Sequence, residues 1–324
     1  MTVFWIRGLP NDDRVFARVD PRGGMQFSTG GSINMFSYAS QDADAVQIFL
    51  PGGVPKNKSP SLIVNEISNP ETHSRALKIA HALCEKLARP VINHPARVMQ
   101  TTREKVCEVL QGTEQLVVPR VFLINPLAPR DVLSKADEND VAYPFIIRES
   151  GTHGGETMLL IRDGRDEQMM HRLRFDGRDM HLIEYVDYRD QDGLYRKYRF
   201  VMVDGTPYVR HMLISEEWMV HASARTEMEK HDDRMEQAMA ALQNFNTDLK
   251  PYVLPALKEI DKKLGLDYWG VDCSIVDDGR VLVFEANCNM NVTFISRRHK
   301  ELMQPYVDRI VLGFRKMVGS RLAK

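Results

Sequence analysis

The sequence predicts a mixed fold, α/β in its first part and α+β in the rest, and three observations carry that prediction. Between residues 61 and 93 a strand, an amphipathic helix and a second strand follow one another, the pattern of a βαβ unit with a parallel sheet. A glycine-rich segment at 150–155 lies between two apolar runs. Two further apolar runs flank Asp278-Gly279, a strong two-residue hairpin signal.

Taken in order, Thr2 to Gly8 reads as a first strand. Val46 to Leu50 is an apolar run closed by Pro51-Gly52-Gly53, and Ser61 to Ile67 is the next. Asn69-Pro70 makes a helix start, with Asn69 as N-cap and Pro70 at the first helical position. The helix that follows carries Ala76, Leu77, Ala80, Leu83, Cys84 and Leu87 at helical period and stops before Pro90. Val91-Ile92-Asn93 forms the returning strand. A second helix spans Thr102 to Leu110, and a strand Pro119 to Ile124. Residues 126–140, rich in Pro, Asp, Ser and Asn, read as a surface loop. Phe145 to Arg148 and Thr157 to Ile161 read as strands, and Asp204-Gly205 as a hairpin turn. Residues 226–248 are polar and Met-rich, hence helical, with Met228, Met235 and Met239 as a packing stripe. Helices at 251–264, closed by Gly265, and at 304–318 complete the chain. The expected division is 1–100, 101–180 and 181–324.

Composition narrows the function. In 324 residues, 43 Lys+Arg meet 44 Asp+Glu, a formal charge of −1. So balanced a chain has no global attraction for nucleic acid or acidic membranes, and any anion site must be local. No apolar run is long enough to cross a membrane. The opening residues lack the basic and apolar regions of a secretory signal. Cys84, Cys107, Cys273 and Cys288 show neither a CxxC pair nor zinc spacing. A cytoplasmic setting is the expectation, with a homodimer as the prior for a symmetric assembly.

The most informative segment runs from Trp269 to Asn287. If Asp277 pairs with Arg280 across the turn, Asp272 lies opposite Glu285, and alternation puts Asn287 on the Glu285 face. Two carboxylates facing each other repel unless something neutralises them. A hard divalent cation bound with substrate phosphates does so, and the alternative is a solvated acidic face. In the loop after Arg148, Ser150, Gly151, Thr152, His153, Gly154 and Gly155 offer N–H groups and hydroxyls that could wrap phosphate oxygens. Such loops are common in hairpins, so this motif alone is weak. The strand His181 to Val186 leads into Asp187, Asp190 and Asp192, which could hold a ribose. Arg199 opens another strand.

Taken together and in this order, these segments resemble the ATP-grasp superfamily, over Leu62 to Asn287. The Asp272–Glu285–Asn287 spacing looks like that of D-alanine–D-alanine ligases. Gly270-Val271-Asp272 is similar to glutathione synthetases and ribosomal protein glutamate ligases. The resemblance implies an N-terminal pre-ATP-grasp βαβ domain and two α+β lobes enclosing a nucleotide. It implies ATP with Mg²⁺ or Mn²⁺, the metal held by Asp272, Glu285 and Asn287. Arg103 or Lys105, Arg148 and the 150–155 loop would contact phosphates; Glu184, Tyr185 and Val186 adenine; and Asp192 the ribose. The implied chemistry is ADP-forming carboxylate–amine ligation through an acyl phosphate. Its partners would be small-molecule or peptide carboxylates and amines. Gly270 departs from the pattern, since D-alanine ligases carry an Arg there that helps hold the acyl phosphate. Arg210, Arg199 and Arg225 are the candidates to replace it, Arg210 foremost, and His153 is the further catalytic candidate. A phosphotransferase, favoured by the missing Arg, and a non-catalytic nucleotide-binding regulator are the alternatives.

Overall fold

The computed structural model of the chain describes residues 1–19, 24–41, 43–152, 155, 157–295 and 299–323. The first hundred residues give β1 (Thr2–Gly8), the paired strands β2 (Phe16–Val19) and β3 (Met25–Ser28), and the short α1 (Phe36–Ala39). They continue with β4 (Asp44–Leu50), β5 (Leu62–Asn65), α2 (Ser74–Leu87), β6 (Val91–Ile92) and α3 (Pro95–Val98). A parallel sheet in the order β4-β1-β5-β6 results. Val3 to Ile6 in β1 and all of β5 are buried, as strands covered on both faces must be, and this explains their unbroken apolar runs. The helix starts later than expected. Asn69 Oδ1 accepts the Glu71 and Thr72 N–H groups at 3.0 and 3.2 Å, but residues 70–72 form a turn, and α2 begins at Ser74.

The next stretch contains α4 (Arg103–Leu110), β7 (Leu116–Val117), β8 (Val121–Ile124), α5 (Pro129–Glu138), β9 (Phe145–Glu149), β10 (Leu159–Ile161) and β11 (Met180–Glu184). Four of these strands form an antiparallel sheet, β10-β9-β11-β8. The expected loop at 126–140 is instead largely α5. Asp131 caps it by accepting the Leu127 and Ala128 N–H groups at 2.8 and 2.9 Å, Pro129 sits in its first turn, and Val132 and Ala136 bury one turn apart. Polar composition masked a correctly capped helix start.

The last part contains β12 (Tyr195–Val203), β13 (Thr206–Ser215), α6 (Ala222–Met228), α7 (Asp232–Gln243), α8 (Lys250–Leu264), β14 (Tyr268–Ile275), β15 (Val281–Asn287) and α9 (Lys300–Leu322). Its sheet runs β13-β12-β14-β15-β7. Asp204 and Gly205 both take positive φ, +48° and +74°, as a tight hairpin turn demands. Asn93, at the end of β6, also has positive φ. Its side chain donates to the Tyr268 carbonyl at 2.7 Å and accepts the Tyr268 N–H at 2.8 Å, so one buried amide fastens the first sheet to the last. No helix among the described residues is long and apolar enough to cross a membrane.

Candidate functional site

The site is built on neighbouring strands of the last sheet. In the ladder His211 pairs with Arg199, Arg199 with Asp272, and Asp272 with Glu285. One row of polar side chains thus crosses β13, β12, β14 and β15. Two irregularities give it this form. At the hairpin end, Val276 donates its N–H to the Arg280 carbonyl at 3.0 Å and Gly279 takes φ +82°, so the turn holds one residue more than a two-residue hairpin. A bulge between Asp272 and Cys273 leaves Phe284 unpaired and shifts the register back. The two offsets cancel, and Asp272 faces Glu285. The second irregularity lies between Arg199 and Phe200, where Arg210 is the unpaired residue. Bulges of this kind re-aim side chains beside active sites.

Each carboxylate in the row has cationic partners. Arg199 donates to Asp272 through Nε at 2.6 Å and Nη2 at 2.8 Å, and Lys197 Nζ adds a contact at 3.1 Å. Burial alone would raise the Asp272 pKa. The two cations outweigh it and hold the carboxyl well below the usual range. Arg103 Nη2 lies 3.1 Å from Glu285, and Asn287 Nδ2 donates to Glu285 at 2.7 Å. Carboxylate repulsion, which the sequence suggests a metal relieves, is relieved here by Arg199, Lys197 and Arg103. Two carboxylates and an amide carbonyl still form an all-oxygen donor set, the set a hard cation takes. That chemistry fits Mg²⁺ or Mn²⁺.

Arg210 is buried, with 2% of its surface exposed. Its Nε donates to the Val292 carbonyl at 2.7 Å and its Nη2 to the Phe294 carbonyl at 2.8 Å, while Nη1 has no partner among the described residues. Burial, then Arg225 and Arg199, pull its pKa down to about 10. Arg148 resembles it. Burial and Arg103 bring its pKa to about 10, its Nη2 donates to the Thr152 carbonyl, and its Nε has no partner among the described residues. Burial holds His211 well below its ordinary value, with Arg199 adding to the effect. Burial, then Lys197 and Arg148, bring His221 to about 4. Both imidazoles are neutral at pH 7, and neither Nε2 has a partner among the described residues.

The phosphate-loop candidates close over Arg148. Ser150 donates its N–H to the Asp179 carbonyl at 2.9 Å. Thr152 Oγ1 donates to the Glu149 carbonyl at 2.8 Å. Gly151 and Gly155 take φ of +71° and +78°, conformations that suit glycine. Gly151 donates its N–H to Glu71 at 2.6 Å, so one loop amide already holds an anionic oxygen. A Cβ on Gly155 would stand 1.9 Å from His221 Nε2. His153 and Gly154 lie outside the described residues.

The remaining candidates divide. Of the two basic residues on α4, Arg103 reaches Glu285 and the Phe284 carbonyl, whereas Lys105 Nζ donates to the Met99 carbonyl at 3.2 Å. Glu184 is engaged by Arg120, through Nε and the backbone N–H, both at 2.8 Å. Tyr185 packs edge-on against Trp218 at 5.9 Å beside half-buried Val186. Asp192 forms an exposed pair with Arg196 at 2.6 Å. Sequence reading passed over Lys197, Glu71 and Arg120. Lys197 had a signal, since it stands two residues before Arg199 on the same strand face. Glu71 had none, because only tertiary structure brings it to Gly151.

No protein-family model matches the sequence, and no curated protein matches it. Its fold has clear counterparts among solved structures. It superposes on a RimK domain ATP-grasp protein from Sphaerobacter thermophilus with a TM-score of 0.56 at 15% identity, covering 98% of this chain and 99% of that one. It superposes on D-alanine–D-alanine ligase from Bacillus anthracis with a TM-score of 0.56 at 12% identity, covering 100% and 96%. An ATP complex of a D-alanine–D-alanine ligase from the same organism gives 0.55 at 11% identity, covering 99% and 98%. The architecture is the ATP-grasp fold.

Proposed function

We propose, from the premise of an ATP-grasp fold, that this chain is an ADP-forming carboxylate–amine ligase. The observation that carries the proposal is the row Arg199–Asp272–Glu285, with Asn287 beside it and Arg103, Arg148 and Arg210 around it. The names of the structural neighbours, two of them D-alanine–D-alanine ligases, support it.

In this reading ATP lies between the middle and last sheets. Arg103 and Arg148 neutralise its phosphates, and the N–H groups of the 150–155 loop donate to their oxygens. Glu285, Asn287 and Asp272 would hold Mg²⁺ or Mn²⁺, which when bound offsets phosphate charge. A substrate carboxylate oxygen attacks the γ-phosphorus, and the bond to the β,γ-bridging oxygen breaks, releasing ADP. The amine then attacks the acyl carbon, loses a proton, and phosphate leaves. Arg210 would hold the acyl phosphate: two backbone carbonyls fix its guanidinium, and its buried Nη1 has no hydrogen-bond partner among the described residues. Such preorganised donors stabilise developing charge without reorganising. Glu184, Tyr185 and Val186 would border adenine, with Asp192 toward the ribose.

The test is metal-dependent ADP release across a panel of carboxylates and amines, with hydroxylamine included to trap acyl phosphate as hydroxamate. ADP and hydroxamate forming together, and both lost in Glu285→Ala, support the ligase. A stable phosphorylated product with no hydroxamate identifies the phosphotransferase reading, which the glycine at 270 favours. Nucleotide binding with no turnover removes both.

A further inference from the structure

Among the described residues two groups of histidine and carboxylate side chains bring their ligand atoms within 4.8 Å of one another: Glu71, Glu104 and His181, and His81, Glu85 and His94. Their hydrogen bonds decide between them. His181 is fully buried, its Nε2 lies 3.2 Å from Glu104, and its Nδ1 has no partner among the described residues. An ion on that Nε2 would drive the ring proton to Nδ1 and leave a buried donor unpaired, which is costly. A hydrogen bond from His181 to Glu104 satisfies that group without an ion.

The second group has the opposite disposition. His81 and Glu85 stand one turn apart on α2, hence on one face. After β6 the chain turns through Asn93 at positive φ, and His94, the residue before α3, comes to the same place. Glu85 Oε1 is the common point, 3.9 Å from His81 Nδ1 and 3.5 Å from His94 Nε2. The two rings meet edge-on with centroids 5.5 Å apart. His81 Nδ1 is shut off from solvent and has no hydrogen-bond partner among the described residues, although the side chain as a whole is 40% exposed. In the neutral ring the proton is satisfied on the wetter Nε2, so Nδ1 turns a lone pair toward a carboxylate oxygen. A cation between the two relieves that contact. Tetrahedral Zn²⁺, with bonds of about 2.0–2.2 Å, sets its ligand atoms about 3.3 Å apart. The observed 3.5 and 3.9 Å lie within small side-chain rotations of that spacing. Glu85 and His94 are partly exposed, which leaves a side open to water.

We propose that His81 Nδ1, Glu85 and His94 Nε2 bind a borderline divalent transition ion of the Zn²⁺ type, with water as the fourth ligand. Binding moves the His94 proton from Nε2 to Nδ1 and gives up the bond that Nδ1 accepts from the Ala96 N–H, a long one at 3.3 Å. The ion ties α2 to the start of α3, next to Asn93, whose amide fastens the first sheet to the last. None of the row through Asp272 and Glu285 takes part, so the inference stands apart from the ligase reading.

The experiment titrates the full chain, without nucleotide and in excess Mg²⁺, with ZnCl₂ by calorimetry and with CoCl₂ by visible absorbance. All four cysteines are buried, which keeps thiols from competing. The expected result is one equivalent of Zn²⁺ whose binding raises the melting temperature, and an intense visible Co²⁺ band of four-coordinate geometry. His81→Gln, Glu85→Gln and His94→Asn each weaken that equivalent more than about 100-fold, beyond the range for losing a supporting partner, and remove the band. Asn is a good N-cap, so His94→Asn separates ion binding from the capping of α3. Variants that melt differently from the parent but share its response to Zn²⁺ overturn the site, since a hydrogen-bonded trio alone would behave that way. Absence of Zn²⁺ binding overturns it too, as does an equivalent lost in His181→Gln and kept in the three variants.

Discussion

Arg199 holds Asp272 from the adjacent strand through both Nε and Nη2, at 2.6 and 2.8 Å. This fork keeps one of two opposed carboxylates ionised inside the sheet. Removing Arg199 leaves Asp272 only the Lys197 contact at 3.1 Å, and breaking a buried pair from one side costs about 3–5 kcal/mol. Arg199→Met is therefore expected to lower unfolding free energy by about that amount, measured by urea denaturation. Arg199→Lys should recover only part of the loss, because an ammonium cannot reproduce the fork.

Glu285 is less deeply set, with 25% of its side chain exposed. Glu285→Ala is expected to lower metal-dependent ADP release at least about 100-fold, on the scale of losing one preorganised charge-stabilising group. Its melting temperature should move far less than that of Arg199→Met. Equal losses of stability in the two variants would contradict the division of roles.

Gly270 marks the departure from the D-alanine ligase pattern, and the structure supplies the reason. A Cβ there would stand 2.7 Å from Met290 Cγ and 3.1 Å from the Phe200 carbonyl oxygen. Overpacking against backbone costs about 1–3 kcal/mol, so Gly270→Ala should destabilise by that order. Gly270→Arg should fail to accumulate as folded protein. Expression with circular dichroism and melting curves decides both.

Gly155→Ala carries two separable penalties. One is the contact with His221 Nε2 at 1.9 Å; the other is φ of +78°. Adding His221→Ala removes the first and leaves the second, about 1–2 kcal/mol. The double variant should therefore melt above Gly155→Ala alone. If it melts lower, His221 does not pack on the loop.

Buried His211 and part-buried His221 set an acid-side stability window. His211 and His221 have folded pKa values below the ordinary 6.5, His221 at about 4. Below pH 6.5 the unfolded chain therefore binds protons that the folded chain refuses. Stability is complete above that pH and declines as pH falls toward 4. Asp272 contributes nothing to this slope, because its stabilisation is lost only below the ordinary carboxylate value of 3.8. Urea titrations between pH 4.5 and 7.5 should show the decline. His211→Gln should reduce the slope by about 1.4 kcal/mol per pH unit, the equivalent of one proton. An unchanged slope would mean that His211 is protonated in the fold.

The hairpin shows how far the sequence could be read. Its strands and the facing of Asp272 and Glu285 follow from alternation and Asp278-Gly279. The register near the turn does not, since the turn takes one extra residue and the Phe284 bulge returns it. Helix α5 was legible in its cap, Ala128-Pro129-Arg130-Asp131, but lay hidden by polar composition. The choice between Arg103 and Lys105 was not legible, because neighbours on a helix of this pitch point apart, and packing decides which meets the sheet.

What the sequence by itself determined is local: alternating strands, a helix period, a turn dipeptide, glycines where φ must be positive, and the spacing of Asp272, Glu285 and Asn287. Tertiary structure decided which charges meet. Arg199 and Lys197 reach Asp272 from another strand, Glu71 reaches Gly151 from the turn before α2, and a bulge turns Arg210 toward the carbonyls of residues 292 and 294. The physical reason is that side-chain periodicity is a property of one segment, whereas a pairing of buried charges depends on register and packing between segments. The formal charge of −1 sums over the chain, and only the fold gathers its cations around two carboxylates.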